Sequence, residues 1–167
     1  MAAAGYIKNA SLATLNTTGV TTLSGSLLQP IKSFSTDDNG DLEITDSSII
    51  LIKNAMSGNR VITLPSATTA NGVNYMIKIT VDLSGTLNFV SNATNELFIG
   101  GVSHIDTDTD NAITLIDTQI LSGTAKEGIQ LAADTKAGSW IDLVCDGSEW
   151  YINGSIYAHT APTYVDI

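Results

Sequence analysis

The sequence predicts an all-β chain: a β-sandwich or jelly-roll-like body over residues 46–167, ending in a short C-terminal tail, preceded by an extended N-terminal arm over residues 1–45. Three observations carry this expectation. Apolar and polar residues alternate with period two, the sign of strands that bury one face. Gly, Asn and Asp interrupt these runs about every 8–12 residues, the spacing of a sandwich or barrel. Helical periodicity is almost absent, and its best short candidate, Leu131 to Lys136, is followed at once by Gly138.

Each element follows from its own residues. Residues 1–45 hold short apolar fragments, such as Thr21-Thr22-Leu23 and Ser26-Leu27-Leu28, broken by Gly19, Gly25 and Pro30 and followed by the polar run 35–41. They cannot cover one another, which predicts an arm whose apolar side chains serve a partner. The residues assigned to that role are Tyr6, Ile7, Leu12, Leu15, Leu23, Leu27, Leu28 and Phe34, with Lys8 and Lys32 to pair with a partner's acids. Ile49 to Ile52 is continuously apolar and reads as a strand buried on both faces. Arg60 to Leu64 is a strand stopped by Pro65. Val73 to Asp82 alternates most clearly, with Val73, Tyr75, Ile77, Ile79 and Val81 on one face. Leu87 and Phe89 share a face of 86–90, and 96–99, 112–121 and 128–132 are further strands. Trp140 to Cys145 and Glu149 to Ser155 flank Asp146-Gly147, a hairpin signal. Ile141, Leu143 and Cys145 share one face, Trp150 and Ile152 another; core packing and a sugar platform both suit the aromatics. There is no exact internal repeat.

Length and charge bound the function. By surface scaling, 167 residues bury roughly two-thirds of their unfolded surface, enough for a core without staples. Seventeen acidic against seven basic residues give a net charge of -10. That charge repels a phosphate backbone and an anionic bilayer, so no nucleic acid or membrane partner is expected. The single cysteine, Cys145, excludes an intrachain disulfide, and no apolar run reaches the length of a membrane span. The start, Met-Ala-Ala-Ala-Gly-Tyr, has neither a basic nor an apolar signal region. A Ser/Thr/Asn-rich exterior without an export signal suits a protein made in a host cytoplasm and released by lysis.

Two stretches carry a resemblance. Arg60-Val61-Ile62-Thr63-Leu64-Pro65-Ser66-Ala67, followed by 72–78, resembles the strand, LPxA turn and G-x-x-Y-x-I-K strand of phage fibre and head-decoration domains. Residues 138–154, with Trp140, Leu143, Asp146-Gly147 and Trp150, resemble the W-x-x-L-x-x-D-G-x-x-W hairpin of the same proteins. Gly19 to Gly25 is similar to their Gly/Thr/Ser segments. The resemblance to structural proteins of tailed bacteriophages implies a virion location on the outer particle surface, a major capsid or other virion protein as partner, and a homotrimer.

Chemistry-bearing patterns are few. Asp106, Asp108, Asp110 and Asp117 occupy positions one, three, five and twelve of a calcium-type loop, with Asn111 at the usual glycine and Asp117 at the usual glutamate. Gly100-Gly101 and Gly123 flank it where helices would stand, so a solvated acidic loop and a calcium site in a β context both remain open. Ser103, His104 and Asp106 are adjacent without forming a triad by that fact. No nucleophile elbow, phosphate loop or dinucleotide fingerprint occurs, and Cys145 lies in an apolar strand as an inert thiol. The expectation is a non-enzymatic capsid decoration or cement protein without a cofactor, calcium aside; the alternative is a tail-fibre module recognising host surface glycans.

Overall fold

Two mixed β-sheets enclose one hydrophobic core. The computed structural model describes residues 31–46, 48–107, 116–120 and 126–166, with backbone alone for 116–120. The strands are β1 (Ile31–Phe34), β2 (Gly40–Asp41), β3 (Ser48–Ile52), β4 (Arg60–Thr63), β5 (Asn74–Ile79), β6 (Leu87–Val90), β7 (Phe98–Asp106), β8 (Ile116–Ile120), β9 (Gly128–Leu131), β10 (Trp140–Cys145), β11 (Trp150–Ala158) and β12 (Thr163–Val165). Among the described residues, helix is confined to two three-residue 3-10 turns, Ile44–Asp46 and Ala67–Thr69. The all-β sandwich is therefore the architecture that the period-two patterning predicts.

The chain order explains why the sheets are mixed. From β1 to β6 the chain crosses between the sheets at every step. β1, β3 and β5 become parallel neighbours in a seven-stranded sheet ordered β1-β3-β5-β10-β11-β7-β8. β2, β4 and β6 do the same in a five-stranded sheet ordered β12-β9-β6-β4-β2. Parallel strands need a crossover connection; here it runs through the opposite sheet instead of a helix, so residues 31–90 coil. The last turn of that coil advances 27 residues in both sheets, from Ile49 to Met76 and from Arg60 to Leu87. The turn before advances 18 in one sheet, Ile31 to Ile49, and 22 in the other, Gly40 to Ile62. Unequal turns leave no fixed sequence period, so this structural repetition is invisible in the sequence.

The core lies between the sheets. Ile50, Ile52, Tyr75, Ile77, Ile79, Ile141, Leu143 and Trp150 face it from one side, and Ile62, Leu87, Phe89, Ile129 and Leu131 from the other. Register stacks like on like: Ile50 opposes Ile77, Ile52 opposes Ile79, and Ile62 opposes Phe89. The β10–β11 hairpin pairs Cys145 with Trp150 around the loop 146–149. Gly147 takes φ 97° there, and Asp146 Oδ1 accepts from the Ser148 and Glu149 N–H groups, both at 2.9 Å.

Two expectations change. Residues 31–46 belong to the body: β1 pairs with β3, β2 pairs with β4, and Leu42 is buried. Tyr75 O–H donates to Glu43 O at 2.8 Å, and Lys32 pairs with Asp46 of its own chain at 2.6 Å. These strands are two and four residues long, too short to show a period, and their partners are distant in sequence. Second, β3 is not buried on both faces; Ile50 and Ile52 are, while Ile49 and Leu51 are half-buried on the outer face. The best short helical candidate, Leu131 to Lys136, forms no helix, in keeping with the near absence of helical periodicity. Leu131 ends β9 on its buried face, and Thr135 N–H turns back to Ala132 O at 3.1 Å. Six residues do not repay the cost of helix nucleation.

Candidate binding faces

The described residues bring together no catalytic constellation. His104 is buried with Nε2 2.9 Å from Ala158 O, so it is held as a core group. The Cys145 thiol is buried, and burial pushes its pKa up, away from the reactive thiolate. Among the described residues no three His, Cys, Asp or Glu side chains converge as a metal set. Asp106 ends β7, with its Oδ1 3.4 Å from His159 Nδ1. Asp117 lies in β8 opposite His104, so its backbone and that of Asp106 belong to one β-hairpin rather than a helix-loop-helix. Asp108 and Asp110 lie outside the described residues. So do Tyr6, Ile7, Leu12, Leu15, Leu23, Leu27 and Leu28 of the expected arm; Phe34 is half-buried in β1 against the core.

What the fold does build is two contrasting outer faces. On the seven-stranded sheet, register aligns Asn74, Val144, Tyr151 and Ile99 in one row across four strands. A second row runs Ile31, Ile49, Met76, Asp142, Asn153 and Gly101, and a third runs Ser33, Leu51, Lys78, Trp140, Ser155 and Ser103. Four large apolar side chains here are well exposed: Ile31 59%, Tyr151 45%, Val144 44% and Ile99 41%. The Lys78 ammonium sits 5.2 Å over the Trp140 ring, a cation–π contact within this mixed face. Asp142 Oδ1 is buried in the same face and meets no donor among the described residues. At its rim, Tyr151 O–H donates to Asp146 Oδ2 at 3.1 Å, which raises the tyrosine pKa. Backbone N–H bonds from Glu149 and Ser148, then the Ser148 hydroxyl, hold the Asp146 carboxyl at about 2.

The five-stranded sheet presents amides and hydroxyls instead. Thr163, Gln130, Asn88 and Val61 align across β12, β9, β6 and β4. Gln130 Nε2–H donates to Asn88 Oδ1 at 2.9 Å, and Asn88 Nδ2–H to Arg60 O at 3.1 Å. Thr86 O–H donates to Asn59 Oδ1 at 2.9 Å beside them. An ion pair closes the far edge: Arg60 Nε lies 2.7 Å from Asp37 Oδ1, and Ser57 O–H donates to the same carboxylate. The bond from Arg60, then that from Ser57, brings Asp37 to about 2. At the β9–β12 side an open cleft of about 460 Å³ lies between the Ala132–Asp134 turn and the Thr160–Thr163 segment.

The outward positions of Asn88 and Gln130 were legible in the alternation of Leu87-Asn88-Phe89 and Ile129-Gln130-Leu131. Their contact was not, because β6 and β9 are some forty residues apart. Compared with protein-family models, with curated proteins and with solved structures, the chain matches none.

Proposed function

We propose that the chain is a non-enzymatic structural protein of a phage particle, a head decoration or cement protein that docks through the outer face of its seven-stranded sheet. The observation that carries this reading is the exposed row Val144–Tyr151–Ile99, with exposed Ile31 and half-buried Ile49 and Met76 in the row beside it. An apolar surface of this extent marks an interaction site. Seven strands span six spacings of about 4.8 Å, about 29 Å, a width suited to the roughly 800 Å² per partner of a stable interface. Capsid attachment is then mechanical: buried interface area opposes the outward pressure of packaged nucleic acid. The net charge of -10 keeps the protein on the outside of that nucleic acid. Residues 1–30 are the second attachment element in this reading, and a symmetric, trimeric site on the shell is its expected setting.

The test uses particles of the encoding phage prepared without the chain. Val144→Asp combined with Tyr151→Asp leaves the core untouched and is expected to abolish co-sedimentation with those particles. Deletion of residues 1–30, keeping Ile31 so that β1 still pairs with β3, is expected to weaken it. Full binding by the double variant overturns the assignment of this face.

A further inference from the structure

The cleft on the five-stranded sheet suits a ligand unlike anything that would dock on the apolar face. Its polar groups come from Gln130, Asp134, Thr86, Thr160 and Thr163, and alanine methyls separate them. At about 460 Å³ it falls in the range of small-molecule clefts, about 300–1,000 Å³. Gln130 is held in place by Asn88, which is held by the Arg60 carbonyl, so the amide is positioned before any ligand arrives. Asp134 is anchored the same way: its Oδ2 accepts the Thr160 N–H at 2.8 Å. Its Oδ1 is buried and meets no donor among the described residues, so the oxygen that holds the Thr160 N–H is the one that fixes the side chain at the cleft.

We infer that this cleft binds a neutral pyranose sugar. Charge selects against anions, since the lining holds a carboxylate and no Lys or Arg, in a chain of net charge -10. A lone carboxylate is too few ligands for a hard divalent cation, which takes six or more oxygens. An uncharged ring with hydroxyls at its rim and C–H groups on its faces matches what remains. Gln130 and the threonine hydroxyls both donate and accept, Asp134 accepts, and the alanine methyls meet the C–H faces. Among the described residues no aromatic side chain lines the cleft, in contrast to the aromatic platform expected of a glycan-binding fibre. The site is open, so a single sugar binds weakly, about millimolar, and useful avidity comes from many copies on one particle.

The experiment titrates the full chain, labelled with 15N, with methyl α-mannoside, galactose, glucose and N-acetylglucosamine, and with glucuronate as the anionic probe. Concentrations reach about 100 mM, two decades above a millimolar constant. Saturable shifts of the Gln130 side-chain amide and of Thr163 with at least one neutral sugar, and none with glucuronate, are expected. Gln130→Ala weakens the response about tenfold, the worth of one positioned hydrogen-bonding group. Ala133→Trp fills the cleft from an exposed position and abolishes the response while the melting temperature stays unchanged. Silence with all four neutral sugars, a response that survives Ala133→Trp, or preference for glucuronate overturns the inference.

Discussion

Trp150→Ala tests the core where the most side chain is at stake. Trp150 opens β11 and is wholly buried. It stacks on Tyr75 with ring centroids 5.9 Å apart and planes 20° from parallel. Its strand lies between β10 and β7, with Cys145 and Phe98 as its register partners. Hydrogen-bonded strands on both sides limit how far the site can collapse, so the substitution is expected at the full cost of a large cavity, about 3–5 kcal/mol. Against a domain stability of about 5–15 kcal/mol this is a large fraction. For a chain of this size it lowers Tm by roughly 6–20 °C. Trp150→Phe behaves differently. The indole N–H is buried with no acceptor among the described residues, and its desolvation costs about 1–3 kcal/mol, which phenylalanine does not incur. That gain offsets part of the lost ring volume, and the net loss is expected below about 2 kcal/mol. Urea denaturation followed by circular dichroism measures both, with equal slopes showing that the denatured state is unchanged. In Trp140→Phe, Trp150 is the one remaining tryptophan, and its fluorescence is expected to resist acrylamide. A loss below about 1 kcal/mol for Trp150→Ala, or free quenching of that fluorescence, refutes the packing argument and returns the residue to the surface.

Three further predictions use other parts of the molecule. Gly100 has φ 111°, and a Cβ there would meet Ile152 O at 2.4 Å, so Gly100→Ala is expected to cost more by urea titration than Gly138→Ala, which carries the backbone strain of φ 97°, about 1–3 kcal/mol, but no such contact. Asp37 and Asp146 are both held at about 2, below the ordinary 3.8. Their contribution is thus present above pH 3.8 and lost as the pH falls toward 2; acid titration of Asp37→Asn with Asp146→Asn should show a shallower loss than the parent over that window. Cys145 is expected to react with a thiol reagent only in denaturant, and rapid labelling of the folded chain would contradict its burial.

Where a strand is long enough to alternate, the sequence alone determined it and its sidedness. Val73-x-Tyr75-x-Ile77-x-Ile79 places its apolar residues on the buried face because a strand repeats every two residues, whatever it pairs with. The Asp146-Gly147 hairpin was equally legible, since its strands are neighbours and its turn needs a glycine at φ 97°. Where pairing is distant, the tertiary structure decided. Nothing in Ile31–Phe34 announces that it lies parallel to Ser48–Ile52, so those residues read as arm until the sheet is seen. Ile49 and Leu51 read as buried because periodicity reports apolarity, while burial depends on whether a second layer covers that face. The same reason governs both candidate surfaces. Val144, Tyr151 and Ile99 come from three strands, and Gln130, Asp134, Thr86 and Thr163 from separate segments. Each is an ordinary outward residue in its own strand or loop, and only sheet order and register, set by long-range backbone pairing around a shared core, gather them into an apolar face and a polar cleft.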